Sequence, residues 1–71
     1  MKKFQITGFK DPILAARLIS IGIYPGRTMR IIRKALFGGA YYIEIDGSHY
    51  ALRESEMELI TKIEIGEAID E

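Results

Sequence analysis

The chain has 71 residues, of which 48% are hydrophobic, and ten basic side chains balance ten acidic ones. This length predicts a single domain over residues 1–71 with one small core, and it excludes a separate substrate-binding lobe. The sequence contains no cysteine and one histidine, which excludes disulfides and zinc–thiolate sites. No apolar run approaches about 18 residues, and no apolar segment follows the N-terminal lysines, so we expect a cytoplasmic protein without direct membrane insertion.

Charge is distributed unevenly along the chain. Residues 1–34 contain eight bases and one acid, whereas residues 35–71 contain nine acids and two bases. The molecule has a two-faced electrostatic field if these halves stay apart in space, and none if the fold interleaves them.

The N-terminal part predicts a strand followed by a helix. Apolar residues at Phe4 and Ile6 alternate with polar ones, which predicts a strand over residues 4–7 with both side chains turned inward. Asp11 is a suitable N-cap, a proline follows it, and Gly22 lies where a C-terminal cap is expected. The stripe that this helix buries is predicted to comprise Leu14, Leu18 and Ile21.

A structural turn is predicted at Gly22, Pro25 and Gly26. Proline fixes φ at the second position of a type II turn, and the glycine after it accepts a positive φ. Residues 28–33 are rich in β-branched side chains and predict a strand, with a bulge because Arg30 and Arg33 interrupt the alternation. The consecutive glycines at positions 38 and 39 then predict a loop.

A hairpin is the best-defined unit in the sequence. Asp46 and Gly47 form a two-residue loop typical of a type I′ turn, which makes Gly47 a further structural-turn residue. This turn sets the register and places Glu44 directly across from His49 on the face away from the core. The predicted pairs on the core face are Ile45 with Ser48, Ile43 with Tyr50, and Tyr41 with Leu52.

The C-terminal part predicts a short helical turn and a last strand. Ser55 and Glu58 match a capping box, with Ser55 as the N-cap. Residues 60–65 are then expected to form the final strand, and the acidic residues 66–71 a frayed tail. The elements together predict a mostly β fold with one helix in the N-terminal half and a short second helical turn.

The residues exclude the common catalytic classes and leave one metal candidate. There is no nucleophile-elbow pattern around a serine and no P-loop, so we expect no enzyme activity. Glu44 and His49 face each other and could contribute to a transition-metal site, although the alternative is an exposed cross-strand ion pair. We therefore expect no cofactor, with bound Fe²⁺ at these two residues as the alternative.

Two surface features are candidates for binding. One is a possible cationic groove for nucleic acid, with stacking aromatics beside it, formed by Arg27, Arg30, Arg33, Lys34, Tyr41 and Tyr42. A sequence pI near 6.6 argues against this, and no nucleic acid is expected. Leu36 and Phe37 precede the loop glycines, and either they lie exposed at the loop tip for a partner or Phe37 folds back as a lid on the core.

Three segments of the sequence together resemble the FeoA family of bacterial ferrous-iron transport proteins. They are Arg17-Leu18-Ile19-Ser20-Ile21-Gly22-Ile23-Tyr24-Pro25-Gly26, then Gly38-Gly39, then Ala51-Leu52-Arg53-Glu54-Ser55-Glu56. The resemblance extends from Phe4 to about Ile65. It implies a small SH3-like β-barrel, a cytosolic location and action on the membrane transporter FeoB, whose own domain supplies the nucleotide chemistry. Ala35 and Ala40 stand where family members often have prolines, so the loop is expected to differ in shape.

The function expected from these observations is that of an accessory protein which binds or regulates a FeoB-like transporter through its cytoplasmic region. The expected contact residues are Leu36, Phe37, Arg27, Arg30 and Arg33. A direct Fe²⁺-binding domain and a nucleic-acid-binding barrel remain the alternatives, and self-association through a strand edge or through the loop is a further possibility.

Overall fold

A computed structural model describes residues 2–67 of the chain. In chain order the elements are β1 (Lys2–Phe9), α1 (Pro12–Ser20), β2 (Thr28–Lys34), β3 (Ala40–Ile45), β4 (Ser48–Arg53), α2 (Glu54–Glu58) and β5 (Ile60–Glu67). The five strands form one antiparallel sheet in the order β4-β3-β2-β1-β5. The predicted fold class is confirmed: the fold is mostly β and SH3-like, with one helix in the first half and a short second helix.

The core lies between the sheet and the two helices: α1 contacts β1, and buried side chains come from both helices and from all five strands. Helix α2 contacts both edge strands, β4 and β5, which pair with no further strand within residues 2–67. Its Met57 side chain is buried in the core. The other buried side chains are Ile6, Leu14, Leu18, Ile23, Met29, Ile43, Ile45, Leu52 and Ile60.

The predicted caps of helix α1, at Asp11 and Gly22, are both confirmed. The Leu14 backbone N–H donates to Asp11 Oδ2 at 2.8 Å, which confirms the N-cap. The helix ends at Ser20, and Gly22 has a φ of +99°, so the chain leaves the helix in a left-handed turn. The prediction that Ile21 belongs to the buried stripe is wrong, because this turn exposes Ile21 and carries Ile23 into the core instead.

The segment after the helix reverses through a type II turn. The Arg27 N–H donates to the Tyr24 carbonyl at 3.2 Å across Pro25 and Gly26, and Gly26 has a φ of +96°. The turn is joined to β1, because the Gly26 N–H donates to the Ile6 carbonyl at 2.7 Å. This connection fixes where β2 starts relative to β1.

The hairpin register is confirmed at every predicted pair. Asp46 and Gly47 have φ values of +48° and +86°, as a type I′ turn requires. Ile45 lies opposite Ser48, Ile43 opposite Tyr50, and Tyr41 opposite Leu52.

The bulge predicted in the basic strand is confirmed. Ile31 pairs with Ile43, and Arg33 pairs with Tyr42, so Ile32 is the extra residue of β2. The extra residue puts Arg30 and Arg33 on the same outer face of the sheet, since Glu44 and Tyr42 are two residues apart on β3.

Several element boundaries differ from the predictions. Strand β1 is longer at both ends and runs from Lys2 to Phe9. The predicted capping box at Ser55 and Glu58 is wrong, since α2 begins at Glu54 and the Arg53 N–H donates to Glu56 Oε1 at 2.8 Å. This bond is one half of a capping box, two residues earlier than predicted, and the other half is not made because the Arg53 side chain has no acceptor.

The tail prediction is wrong for its first two residues. Gly66 and Glu67 belong to β5, where they pair with Lys3 and Lys2 of β1. The rest of the predicted frayed segment, residues 68–71, lies outside the described residues.

Candidate functional site: an exposed apolar loop at one end of the sheet

The loop between β2 and β3 projects two large apolar side chains into solvent. Leu36 is 88% exposed and Phe37 is 85% exposed, the highest values among the large hydrophobic residues described. Neither side chain packs on the core, so the loop-tip alternative is correct and the lid alternative is wrong for Phe37. An exposed pair of this size is typical of a binding surface.

The base of this loop is held by backbone hydrogen bonds. The Ala35 N–H donates to the Ala40 carbonyl at 2.7 Å, and the Glu54 N–H donates to the Gly39 carbonyl at 2.6 Å. Gly39 has a φ of +64°, and a Cβ there would lie 3.3 Å from the Cβ of Glu54, so glycine permits this close approach. The tip is therefore presented from a fixed base although its side chains make no core contact.

Basic and aromatic side chains border the loop. The guanidinium of Arg33 lies 4.8 Å from the centroid of the Tyr42 ring, a cation–π contact. Lys34 Nζ lies 2.7 Å from Glu54 Oε2 and 5.3 Å from the Tyr41 centroid. The hydrogen bond that Lys34 donates to Glu54 raises the pKa of Lys34 above its ordinary value.

The two other predicted arginines are engaged within the molecule. Arg30 forms an ion pair with Glu44 across the β2–β3 ladder. Arg27 forms an ion pair with Asp46, and its guanidinium lies 3.3 Å from the Gly22 carbonyl and 5.0 Å from the Tyr24 ring centroid. The hydrogen bond to Asp46 raises the pKa of Arg27 above its usual value.

The five predicted contact residues do not form one surface. Strand β2 has seven residues, so Arg27, just before it, lies roughly 20 Å from the loop that follows it. Arg27 joins the turn at Gly26 to the hairpin turn at Gly47. Leu36, Phe37 and Arg33 lie together at the opposite end of the sheet, and Arg30 lies between the two ends.

The geometry around Glu44 does not assemble a metal site. Glu44 and His49 are opposite each other as predicted, but Glu44 pairs with Arg30, and His49 is exposed. Within residues 2–67, no three histidine or carboxylate side chains lie close enough together to hold a metal ion. A shallow depression of about 280 Å³ lies beside Glu44 and is lined by Lys3, Thr28, Arg30, Glu44 and Asp46.

Of the two charge arrangements that the sequence leaves open, the ion pairs favour the one in which the two halves interleave. Each ion pair of the described residues joins a base from the first half of the chain to an acid from the second half. They are Arg17–Glu56, Arg27–Asp46, Arg30–Glu44 and Lys34–Glu54. Four of the eight bases in residues 1–34 are thus paired with acids from the second half, and these pairs interrupt a continuous cationic groove. The opposite charge of the two halves is the sequence signal for this pairing.

A second depression, of about 420 Å³, lies between the two helices. Its lining includes the exposed side chain of Ile13 and the Arg17–Glu56 ion pair, in which Arg17 Nη2 lies 2.6 Å from Glu56 Oε2. The sequence analysis did not single out this region. Helical spacing shows which residues share a face, but it does not show which element packs beside that face.

These observations define a small β module with an exposed apolar loop on a hydrogen-bonded base and no metal-ligand cluster among residues 2–67. The sequence model of the FeoA domain matches residues 1–61, so the chain belongs to the FeoA family. It is therefore a small protein associated with ferrous iron transport. The members of this family are non-enzymatic accessory domains.

Comparison with solved structures supports the same fold. The solution NMR structure of protein PA4359 from Pseudomonas aeruginosa is 29% identical, with a TM-score of 0.74, over 92% of this chain and 91% of that one. A search of curated proteins gives no match. No helix in the described part of the chain is long and apolar enough to cross a membrane.

Proposed function

We propose that this chain is an accessory protein that binds the cytoplasmic region of a FeoB-like ferrous-iron transporter through its β2–β3 loop. Leu36 and Phe37 are the apolar anchors, and Arg33 supplies the charged border. The exposure of Leu36 and Phe37 on a hydrogen-bonded loop base is the observation that carries the proposal.

The loop has the properties of an interface centre. Aromatic side chains that enter a pocket and lose contact with water account for much of the binding energy at protein interfaces. The loop base is already ordered by its two backbone hydrogen bonds, so less conformational entropy is lost on binding.

The ion pairs indicate which of the three arginines belongs to the proposed contact surface. Arg27 and Arg30 are held by Asp46 and Glu44 at a distance from the loop tip, and we assign them to the stability of the fold. Arg33 lies beside Tyr42 at the loop end of the sheet. It is therefore the predicted arginine best placed to meet an acidic side chain of the partner.

Capture of the purified cytoplasmic region of a FeoB-like transporter tests the proposal. We expect wild-type chain to be retained and the Phe37→Ala and Arg33→Glu variants to be retained weakly. Ile13→Ala is the matched control, because Ile13 is an exposed apolar residue on α1 that does not belong to the loop. Equal retention of the wild type and the Phe37→Ala variant would refute the loop as the contact surface.

A further inference from the structure

Strand β5 is an edge strand with apolar side chains on its surface. Within residues 2–67 it pairs with β1 on one side and with no strand on the other. Ile63 is 53% exposed and lies opposite Gln5 on the outer face of the sheet. An edge of this kind presents unpaired backbone groups to another strand.

The sequence of β5 is complementary to itself in one antiparallel register. With Ile63 on a twofold axis, Lys62 of one copy lies opposite Glu64 of the other, and the reverse pair forms by symmetry. Lys62 and Glu64 share one face of β5, since they lie opposite Ile6 and Phe4 of β1. The two Ile63 side chains then meet on the other face, where cross-strand apolar pairs stabilise a sheet.

The other edge strand lacks this complementarity. Strand β4 carries His49 and Arg53 and no acidic residue, so it offers no opposite charges to a second β4 in any antiparallel register. Charge therefore favours β5 as the edge that pairs with its own copy.

We propose that two copies of this chain associate through antiparallel pairing of their β5 strands, centred on Ile63. The register pairs residues 62 and 64 across the axis and makes one continuous sheet from two. The extra residue Ile65, which shifts the β1–β5 register between Glu64 and Gly66, limits the pairing to a few residues. The contact is therefore small, and the dimer is expected to be weak and dependent on concentration.

The absence of cysteine from the chain allows a clean cross-linking test. In the Ile63→Cys variant the two thiols face each other across the axis at a Cα separation compatible with a disulfide. Ile19→Cys is the matched control, because Ile19 is 48% exposed but lies on α1. Under mild oxidation we expect Ile63→Cys to form the covalent dimer at least ~tenfold faster than Ile19→Cys, owing to its higher effective concentration.

Charge variants test the register independently of the fold. In the Ile63→Cys background, Glu64→Lys should slow dimer formation because it sets Lys62 against a second lysine. Mixing that protein with a Lys62→Glu version should restore the rate, since opposite charges then meet in the mixed dimer.

Circular dichroism of each variant verifies folding. A rate for Ile63→Cys equal to that for Ile19→Cys, or a rate unaffected by the charge changes, would overturn the proposal. Neither result bears on the loop, because β5 and the β2–β3 loop are separate surfaces.

Discussion

The change in the free energy of unfolding on replacing Phe37 with alanine shows whether this side chain is exposed for docking or packed on the core. Phe37 is 85% exposed, so only about 15% of its surface is removed from water by folding. Full burial of a phenylalanine side chain contributes roughly 1.5–3 kcal/mol, and the matching fraction is about 0.2–0.5 kcal/mol. A phenylalanine that covered the core would instead lose about 3–5 kcal/mol on truncation.

Urea unfolding followed by far-ultraviolet circular dichroism distinguishes these magnitudes. We expect the Phe37→Ala variant to unfold with a free energy within about 0.5 kcal/mol of wild type and with the same dependence on urea. Met29→Ala is the control for true burial, because Met29 is fully buried and should lose about 2–5 kcal/mol. A loss above about 1.5 kcal/mol for Phe37→Ala would mean that the side chain packs on the fold and would refute the docking assignment.

Three further changes test the fold and its charges. Gly26→Ala should lower the free energy of unfolding by about 1–2 kcal/mol, since φ is +96° and no atom obstructs a Cβ; an unchanged urea midpoint would contradict the type II turn. Arg30→Glu sets two carboxylates against each other at Glu44, and it should destabilise the protein more at low salt than at high salt, as urea midpoints would show. Burial, and to a lesser degree the charge of Lys10, lowers the pKa of Lys62, so the unfolded chain holds that proton more tightly. Wild type should therefore gain stability relative to Lys62→Met as pH rises towards about 10.4, and a difference that stays constant between pH 7 and pH 10 would contradict this.

Features specified by neighbouring residues could be predicted from the sequence. The N-cap at Asp11 and the hairpin turn at Asp46 and Gly47 follow from local side-chain and backbone preferences, and the hairpin turn then sets the register of two strands. Local sequence patterns gave wrong predictions where a neighbouring element decides the boundary of a helix. Ser55 matches a capping box, but the extent of β4 starts α2 one residue before it. Ile21 fits the helical stripe, but the left-handed turn at Gly22 exposes it.

The candidate site was less predictable because the neighbours of each residue in it are set by the packing of strands that are far apart in the sequence. Leu36 and Phe37 were identified as surface residues or lid residues from their position before two glycines, and only the packing distinguishes these cases. The grouping of Arg27 and Arg30 with the loop could not be tested before the partners Asp46 and Glu44 were placed beside them. Long-range ion pairs join residues that are far apart in the sequence, so composition shows that the charges balance but does not identify the partners.

The affinity of this chain for the cytoplasmic region of a FeoB-like transporter tests the central proposal most directly. Titration calorimetry of wild type, Phe37→Ala and Ile13→Ala would give three dissociation constants under the same conditions. A buried aromatic anchor contributes about 2 kcal/mol or more, so Phe37→Ala should weaken binding by at least about tenfold. Ile13→Ala should bind like wild type. A Phe37→Ala variant that unfolds like wild type and binds with wild-type affinity would contradict the proposal.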